Sequence, residues 1–335
     1  MAGRLPTLWV GVRAVTAPLI ERYRDRLPVT DQTPVVSLGE GSTPLLRAPR
    51  LSERLGVDLW LKWEASNPTA SYKDRGMTVA VSKAVENGAQ AVVCASTGNT
   101  SASAAAYAAR AGIQAVVLVT EGAAGGKLVQ ARALGARVLA VRGSFDAALA
   151  TARELGERDG YVLVNSLNPH RVEGQKTAVY EIVEELGGPP DAFVLPYGGG
   201  GNTTAYAKAL GELGLDTPLH SVEAADRPRT LASAIRIEQP AHSERVEASG
   251  ARVHPVTDEE IVDAWLELAG EEGLFCEPAS AAGLALLRTS DALRGARVVV
   301  TITGHGLKDP AAADRHAPLP LQVDPDSDAI ARALG

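Results

Sequence analysis

The chain has 335 residues, 45% apolar and 22% charged, which excludes a disordered, collagen-like or coiled-coil protein and leaves room for one large or two ordinary domains. Its 33 basic and 40 acidic residues give a net charge of −7, which argues against a sequence-independent grip on nucleic acid or an anionic membrane. The two cysteines, Cys94 and Cys276, and six scattered histidines form neither a disulfide framework nor a metal-binding spacing.

Taken in chain order, short apolar runs alternate with helical patterns. The first residues, Met1-Ala-Gly-Arg-Leu-Pro6, lack the basic and apolar regions of a secretory leader. Residues 59–63 predict a strand and 76–87 a helix. Strands at 91–95, 115–119 and 137–141 are each followed by a helix, over 101–110, 126–134 and 146–158, and a fifth strand covers 161–164. This rhythm, with strands apolar on both faces, predicts a parallel sheet covered by helices. A second series follows, with helices over 177–186, 203–211, 258–271 and 279–287 and strands at 192–196, 220–224 and 297–303. The tail beyond Pro310 is expected to be irregular before a final short helix. No apolar run approaches the ~20 residues of a membrane span, so a cytoplasmic protein is expected. The fold class implied is α/β, two open parallel-sheet domains with a ligand cleft at the carboxyl ends of the strands.

Four segments at those strand ends carry chemistry. Gly198, Gly199, Gly200, Gly201 and Asn202 lie between an apolar strand and a helix, where bare backbone and helix-start amides suit a phosphate or carboxylate. A flexible turn is the plain alternative. Lys73 stands at a helix start, where the positive end of the dipole can lower an amine's pKa toward the neutral form that carbonyl condensation needs. Beside Asp74 and Arg75 it could equally be a solvated surface lysine. Ser96-Thr-Gly-Asn-Thr-Ser101 gathers hydroxyls and amides at another helix start, fit for a substrate carboxylate or simply for capping. Thr301-Ile-Thr-Gly-His-Gly306 could offer a hydroxyl to a ring nitrogen. An anion loop, an amine, a hydroxyl-rich turn and a ring-facing hydroxyl together point to pyridoxal phosphate.

Six stretches then carry a resemblance, in order, over roughly residues 35 to 312. They are 39–44 (Gly-Glu-Gly-Ser-Thr-Pro), 67–77 (Asn-Pro-Thr-Ala-Ser-Tyr-Lys-Asp-Arg-Gly-Met), 94–110, 164–177, 277–282 (Glu-Pro-Ala-Ser-Ala-Ala) and 303–309 (Thr-Gly-His-Gly-Leu-Lys-Asp). The chain resembles the threonine synthase family of fold-type II pyridoxal-phosphate enzymes, whose architecture is that of the tryptophan synthase β chain. The resemblance implies a large cofactor-binding domain from 1–67 plus 166–335, a small mobile domain from 68–165, and a homodimer acting on a small amino acid. By position, Lys73 would hold the cofactor, Asn99 its ring hydroxyl, Gly198 to Asn202 its phosphate, and Thr303 its ring nitrogen. Ser96, Thr97 and Thr100 would bind the substrate carboxylate, and Asn165, Ser166 and Arg171 the phosphate of O-phosphohomoserine. No metal, nucleic acid or membrane is implied.

Three departures from the family pattern touch substrate recognition. Gly199 replaces an asparagine that helps bind the substrate phosphate. The segment Thr120-Glu-Gly-Ala-Ala-Gly-Gly-Lys127 is one residue short and lacks an inner lysine. The loop between Val222 and Ala232, with Asp226-Arg-Pro-Arg229, is also shorter. A paralogue acting by β- or γ-elimination or replacement on another anionic amino acid therefore stands as an alternative. A catalytically silent cofactor-binding protein is the reading from outside enzymology.

Overall fold

Strand period and helix period sort the apolar residues into four cores on two sheets. The computed structural model describes residues 17–122 and 125–334, so the reading of the first six residues and Ala123-Ala124 of the shortened segment lie outside the described residues. The strands are β1 (Leu45–Arg47), β2 (Asp58–Trp63), β3 (Ala91–Ala95), β4 (Gln114–Thr120), β5 (Arg137–Val141), β6 (Tyr161–Leu163), β7 (Ala192–Pro196), β8 (Leu219–Ala224), β9 (Arg252–Val256) and β10 (Arg297–Ile302). The helices are α1 (Leu19–Arg22), α2 (Pro49–Leu55), α3 (Lys73–Glu86), α4 (Asn99–Ala111), α5 (Gly125–Ala133), α6 (Phe145–Gly156) and α7 (Pro169–Leu186). They continue with α8 (Gly201–Leu213), α9 (Ser243–Ala248), α10 (Asp258–Glu272), α11 (Pro278–Thr289), α12 (Pro310–His316) and α13 (Ser327–Leu334).

One sheet has six strands in the order β1-β2-β10-β7-β8-β9, the other four in the order β5-β4-β3-β6. In the larger sheet β10 shows why both faces are covered. Val298, Val300 and Ile302 point into a core with α10 and α11, while Val299 points the other way, toward Ile182 of α7 and Tyr206 of α8. The smaller sheet divides likewise, with Val92 and Cys94 of β3 facing α3 and α4, and Val93 and Ala95 facing Ala148 and Ala152 of α6.

The expected strands at 91–95 and 137–141 have the observed bounds, and the rest of both series is present. Three differences have physical reasons. The larger sheet is mixed, because the short strand β1 pairs antiparallel with β2; three residues carry no periodic signal. Helix α7 starts at Pro169, eight residues before the expected start, with Asn168 Oδ1 accepting from His170 N at 2.9 Å. Its first turns hide because their buried side chains, Arg171, Gln175 and Lys176, are polar. The tail beyond Pro310 forms α12 where irregular chain was expected. Among the described residues no helix is long and apolar enough to cross a membrane.

Helices α3 and α7 cross at two glycines. A Cβ on Gly174 would lie 1.9 Å from Arg75 O, and one on Gly76 would lie 2.6 Å from Arg171 O. G174A is therefore expected to cost about 2–3 kcal/mol of stability, since backbone on backbone cannot yield. G211A, on α8 where nothing lies within 4 Å of an added Cβ, is expected to gain about 0.5 kcal/mol. Urea denaturation of both variants separates the crossing from a general effect of alanine.

Candidate active site

Lys73 is the first residue of α3, and the loop before it is held by the far end of β10. Tyr72 N donates to Thr303 O at 2.9 Å and His305 N to Ala70 O at 3.0 Å, so the 70–72 and 303–305 segments lie side by side. Ala70 holds φ at 65°, a left-handed turn that swings the chain toward the helix start. Lys73 is half-buried, and its Nζ bonds to Tyr72 Oη at 2.5 Å. Among the described residues no carboxylate pairs with this amine.

The two residues after it, Asp74 and Arg75, are buried and serve as anchors. Arg75 donates through Nε and Nη2 to Glu64 at 2.7 and 2.8 Å, and through Nη1 and Nη2 to Glu181 at 2.7 and 2.6 Å. Thr177 and Thr43 accept its remaining bonds. Burial alone would lower the guanidinium pKa, but Glu181 and Glu64 override it and hold the group well above its usual range. Asp74 accepts from Thr69 N, Thr69 Oγ1 and Ser103 Oγ, each at 2.6 Å. Burial raises its pKa to about 6 even so.

The glycine loop connects β7 to α8. Gly200 has φ at 82°, and a Cβ there would meet Tyr197, His242 and Val246 at 3.1 Å, so only glycine fits this turn. Among the described residues the amides of Gly198 to Asn202 find no protein acceptor, and Asn202 Nδ2, buried, has no partner. Ser166 Oγ lies 3.9 Å from where a Cβ of Gly199 would sit. His242 ties the two turns together, its Nε2 2.9 Å from Ser166 O and its N donating to Gly199 O. Burial lowers the His242 pKa, and because Ser166 O can only accept, Nε2 carries the proton in this bond. From the unusual 226–229 loop, Arg227 stacks over the Tyr197 ring and buttresses the glycine loop.

Asn99 begins α4 and donates through Nδ2 to Glu277 Oε1 and Oε2 at 3.0 and 3.1 Å. Thr303 Oγ1 lies 2.8 Å from Ser280 Oγ, a neutral hydroxyl pair with no carboxylate in it. Ser96, Thr97 and Thr100 surround the start of α4 and are only half-buried. Asn165 is engaged with backbone, accepting from Ala95 N and donating to Ala95 O at 2.9 Å, which joins its turn to the end of β3.

Arg171 is the anomaly. It is 1% exposed, donates once, from Nη1 to Val164 O, and leaves Nε and Nη2 without partners. Burial lowers its pKa, and Tyr72, Cys94 and Asp74, none of them bonded to it, offset that only in part. An isolated buried cation calls for an anion from outside the chain.

These observations fit pyridoxal phosphate. Unpartnered loop amides and Asn202 suit its phosphate, an unpaired amine suits its aldehyde, and a hydroxyl pair suits its ring nitrogen. The structure sets the Lys73 turn beside Thr303, links Asn99 through Glu277 to Gly304, and sets Ser166 beside the glycine loop. Glu277, Ser280 and His242 were not singled out in the sequence, although a glutamate just before a helix's first proline was a signal for Glu277. Among the described residues no group of three or more histidine, cysteine or acidic side chains could hold a metal.

Comparison with known proteins agrees with this geometry. The family model described as "Pyridoxal-phosphate dependent enzyme" matches residues 36–304. The chain is 49% identical to the threonine synthase of Synechocystis sp. over 95% of this chain and 90% of that one. It is 48% identical to the threonine synthase of Mycobacterium leprae, covering 98% and 96%. Among solved structures, a fungal L-serine ammonia-lyase from Rhizomucor miehei superposes with a TM-score of 0.73 at 26% identity, covering 82% of this chain and 97% of that one.

The ion cluster under Lys73 has a measurable pH signature. Burial would raise the Glu181 pKa, but Arg75 pulls it down to about 2, below the ordinary 4.5. Its stabilisation is complete above the unfolded value and is lost as pH falls toward the folded one. E181Q should be about 3 kcal/mol less stable than the parent at pH 7. The gap should narrow as pH falls from 4.5 toward 2, which melting curves across that range would show.

Proposed function

The chain belongs to the pyridoxal-phosphate-dependent enzyme family, and on that premise we propose that it converts O-phospho-L-homoserine and water into L-threonine and phosphate. The relatives named threonine synthase support the reaction, and Arg171 supports the substrate. A buried guanidinium with two unpartnered nitrogens, packed against Gly76 three residues beyond Lys73, matches a dianionic leaving group.

In this reading the amides of Gly198, Gly199, Gly200, Gly201 and Asn202 hold the cofactor's phosphate, Asn99 its ring hydroxyl, and Lys73 its aldehyde carbon. When bound, the cofactor supplies a conjugated ring that accepts the electron pair of a carbon–hydrogen bond broken next to the amino group. Lys73 would then be the base that takes the α-proton. Thr303, paired with Ser280, meets the ring nitrogen without charging it, so electron withdrawal stays moderate. Ser96, Thr97 and Thr100 hold the substrate carboxylate at the start of α4. Arg171, Ser166 and Asn165 would hold the phosphate until a β-proton is lost and the bond from the γ-carbon to the phosphate oxygen breaks; a proton returned to the γ-carbon and water added at the β-carbon complete threonine.

Closure would come from residues 68–165 as a small mobile domain against 1–67 plus 166–335. Lys127 of α5 already reaches across, donating to Asp309 at 2.7 Å and Ser233 at 2.6 Å. The shortened 120–127 segment thus keeps one lysine in a latch, which would exclude water from the site.

One observation favours a second reading, elimination or replacement on a different anionic amino acid. Gly199 leaves open the space beside Ser166 that an asparagine would use.

The test is phosphate release from O-phospho-L-homoserine with threonine detected in the same reaction. Release with threonine supports the first reading; no threonine, with turnover of another anionic amino acid, supports the second. K73A should lose the yellow colour of the holoenzyme and its turnover together. G199N should lower KM for the phosphorylated substrate about ten-fold with kcat little changed, since one added bond to a charged group is worth about 1.5–3 kcal/mol. An unchanged KM would mean that the anion site is already complete.

A further inference from the structure

Glu277 has no part in the scheme above, yet it is a fully buried acid at the centre of the site. It precedes α11, is 4% exposed, and has one side-chain partner among the described residues, the Asn99 amide. Burial pushes its pKa up, with Lys308 and Lys73 too distant to pair and Asp309 opposing them. The backbone is built around this carboxylate. A Cβ on Gly304 would lie 2.3 Å from Glu277 Oε1, and Glu277 N donates to Gly304 O at 3.0 Å. The neighbour of the ring-facing Thr303 is therefore a glycine because Glu277 occupies the space.

A buried acid with a single neutral partner lowers stability. Isolated costs of this kind collect where a functional group must be aimed. We propose that Glu277 is a positioning residue that acts on pyridoxal phosphate through Asn99, fixing the amide so that its remaining N–H points along the ring edge. An asparagine side chain can turn end for end, and only one orientation presents a donor to the ring oxygen. An acceptor-only carboxylate at its back selects that orientation, because the amide oxygen cannot face it. The inference rests on the cofactor reading given above.

The experiment is a cycle of E277A, N99A and the double variant, read as the Kd of the apoenzyme for pyridoxal phosphate and as the Tm of the apoenzyme. E277A and N99A should each weaken cofactor binding about ten-fold, the scale of one well-aimed bond to a charged group. The double variant should be no weaker than either single one. E277Q, whose Oε1 still accepts from Asn99, should recover most of the lost affinity. The apo Tm of E277A should not fall, because an uncompensated buried charge is removed. E277L fills the space left by alanine and completes the same cycle if E277A does not fold.

Unchanged affinity in E277A, multiplied losses in the double variant, no recovery in E277Q, or a lowered apo Tm at full affinity would each overturn the proposal. The first and last would make Glu277 structural, the second independent of Asn99, and the third a charge effect without orientation. A parent protein that takes up no pyridoxal phosphate would instead overturn the cofactor reading itself.

Discussion

The site depends on the guanidinium of Arg75. It sits two residues beyond the amine of Lys73 on one rigid helix and is bound on both edges by carboxylates from distant parts of the chain, Glu64 beyond β2 and Glu181 on α7. Glu181 also accepts from Ser42 N at 2.8 Å and pairs with Lys62 at 3.0 Å, so the loop before β1 joins the same cluster. A bidentate guanidinium transmits direction as well as energy, and α3 cannot rotate without breaking several of these bonds at once. Asp74 makes the corresponding link to α4 through Ser103. The amine is thereby set with respect to both sheets, although it touches no charged group itself.

Much of this was legible before any coordinates. Strands buried on both faces show as apolar runs, which is why β3 and β7 have the expected bounds. The four chemical segments were found because glycines, hydroxyls and amides at strand ends leave a local trace. The anchors leave none. Arg75 and Glu181 are 106 residues apart in sequence, and a buried, fully paired charge has the same letter as a solvated one. The same blindness hid the first turns of α7, whose inward face is polar. Glu277, Ser280 and His242 were also invisible as partners, because each acts across contacts that only folding creates.

The buried charges divide into two kinds, and the division separates scaffold from site. Arg75, Lys62, Glu64 and Glu181 are paired within the chain, so their desolvation is offset on folding and they hold the elements together. Arg171 is as deeply buried but has a single carbonyl partner, and Glu277 a single amide. Folding alone leaves both short of partners, so they lower the stability of the free protein; Arg171 is left for an anion, and Glu277 aims Asn99. A deeply buried arginine is ordinary when it is saturated, as Arg75 is, and a request for a ligand when it is not. By that criterion the two crossing helices carry opposite roles a few residues apart. Arg75 on α3 fixes the geometry, and Arg171 on α7, packed against Gly76 of the same crossing, is left without a counter-charge. Because both stand at one crossing, the close approach that Gly76 and Gly174 permit fixes the distance from the Arg171 guanidinium to the Lys73 amine, and in the proposed reaction a single packing contact would serve both binding and catalysis.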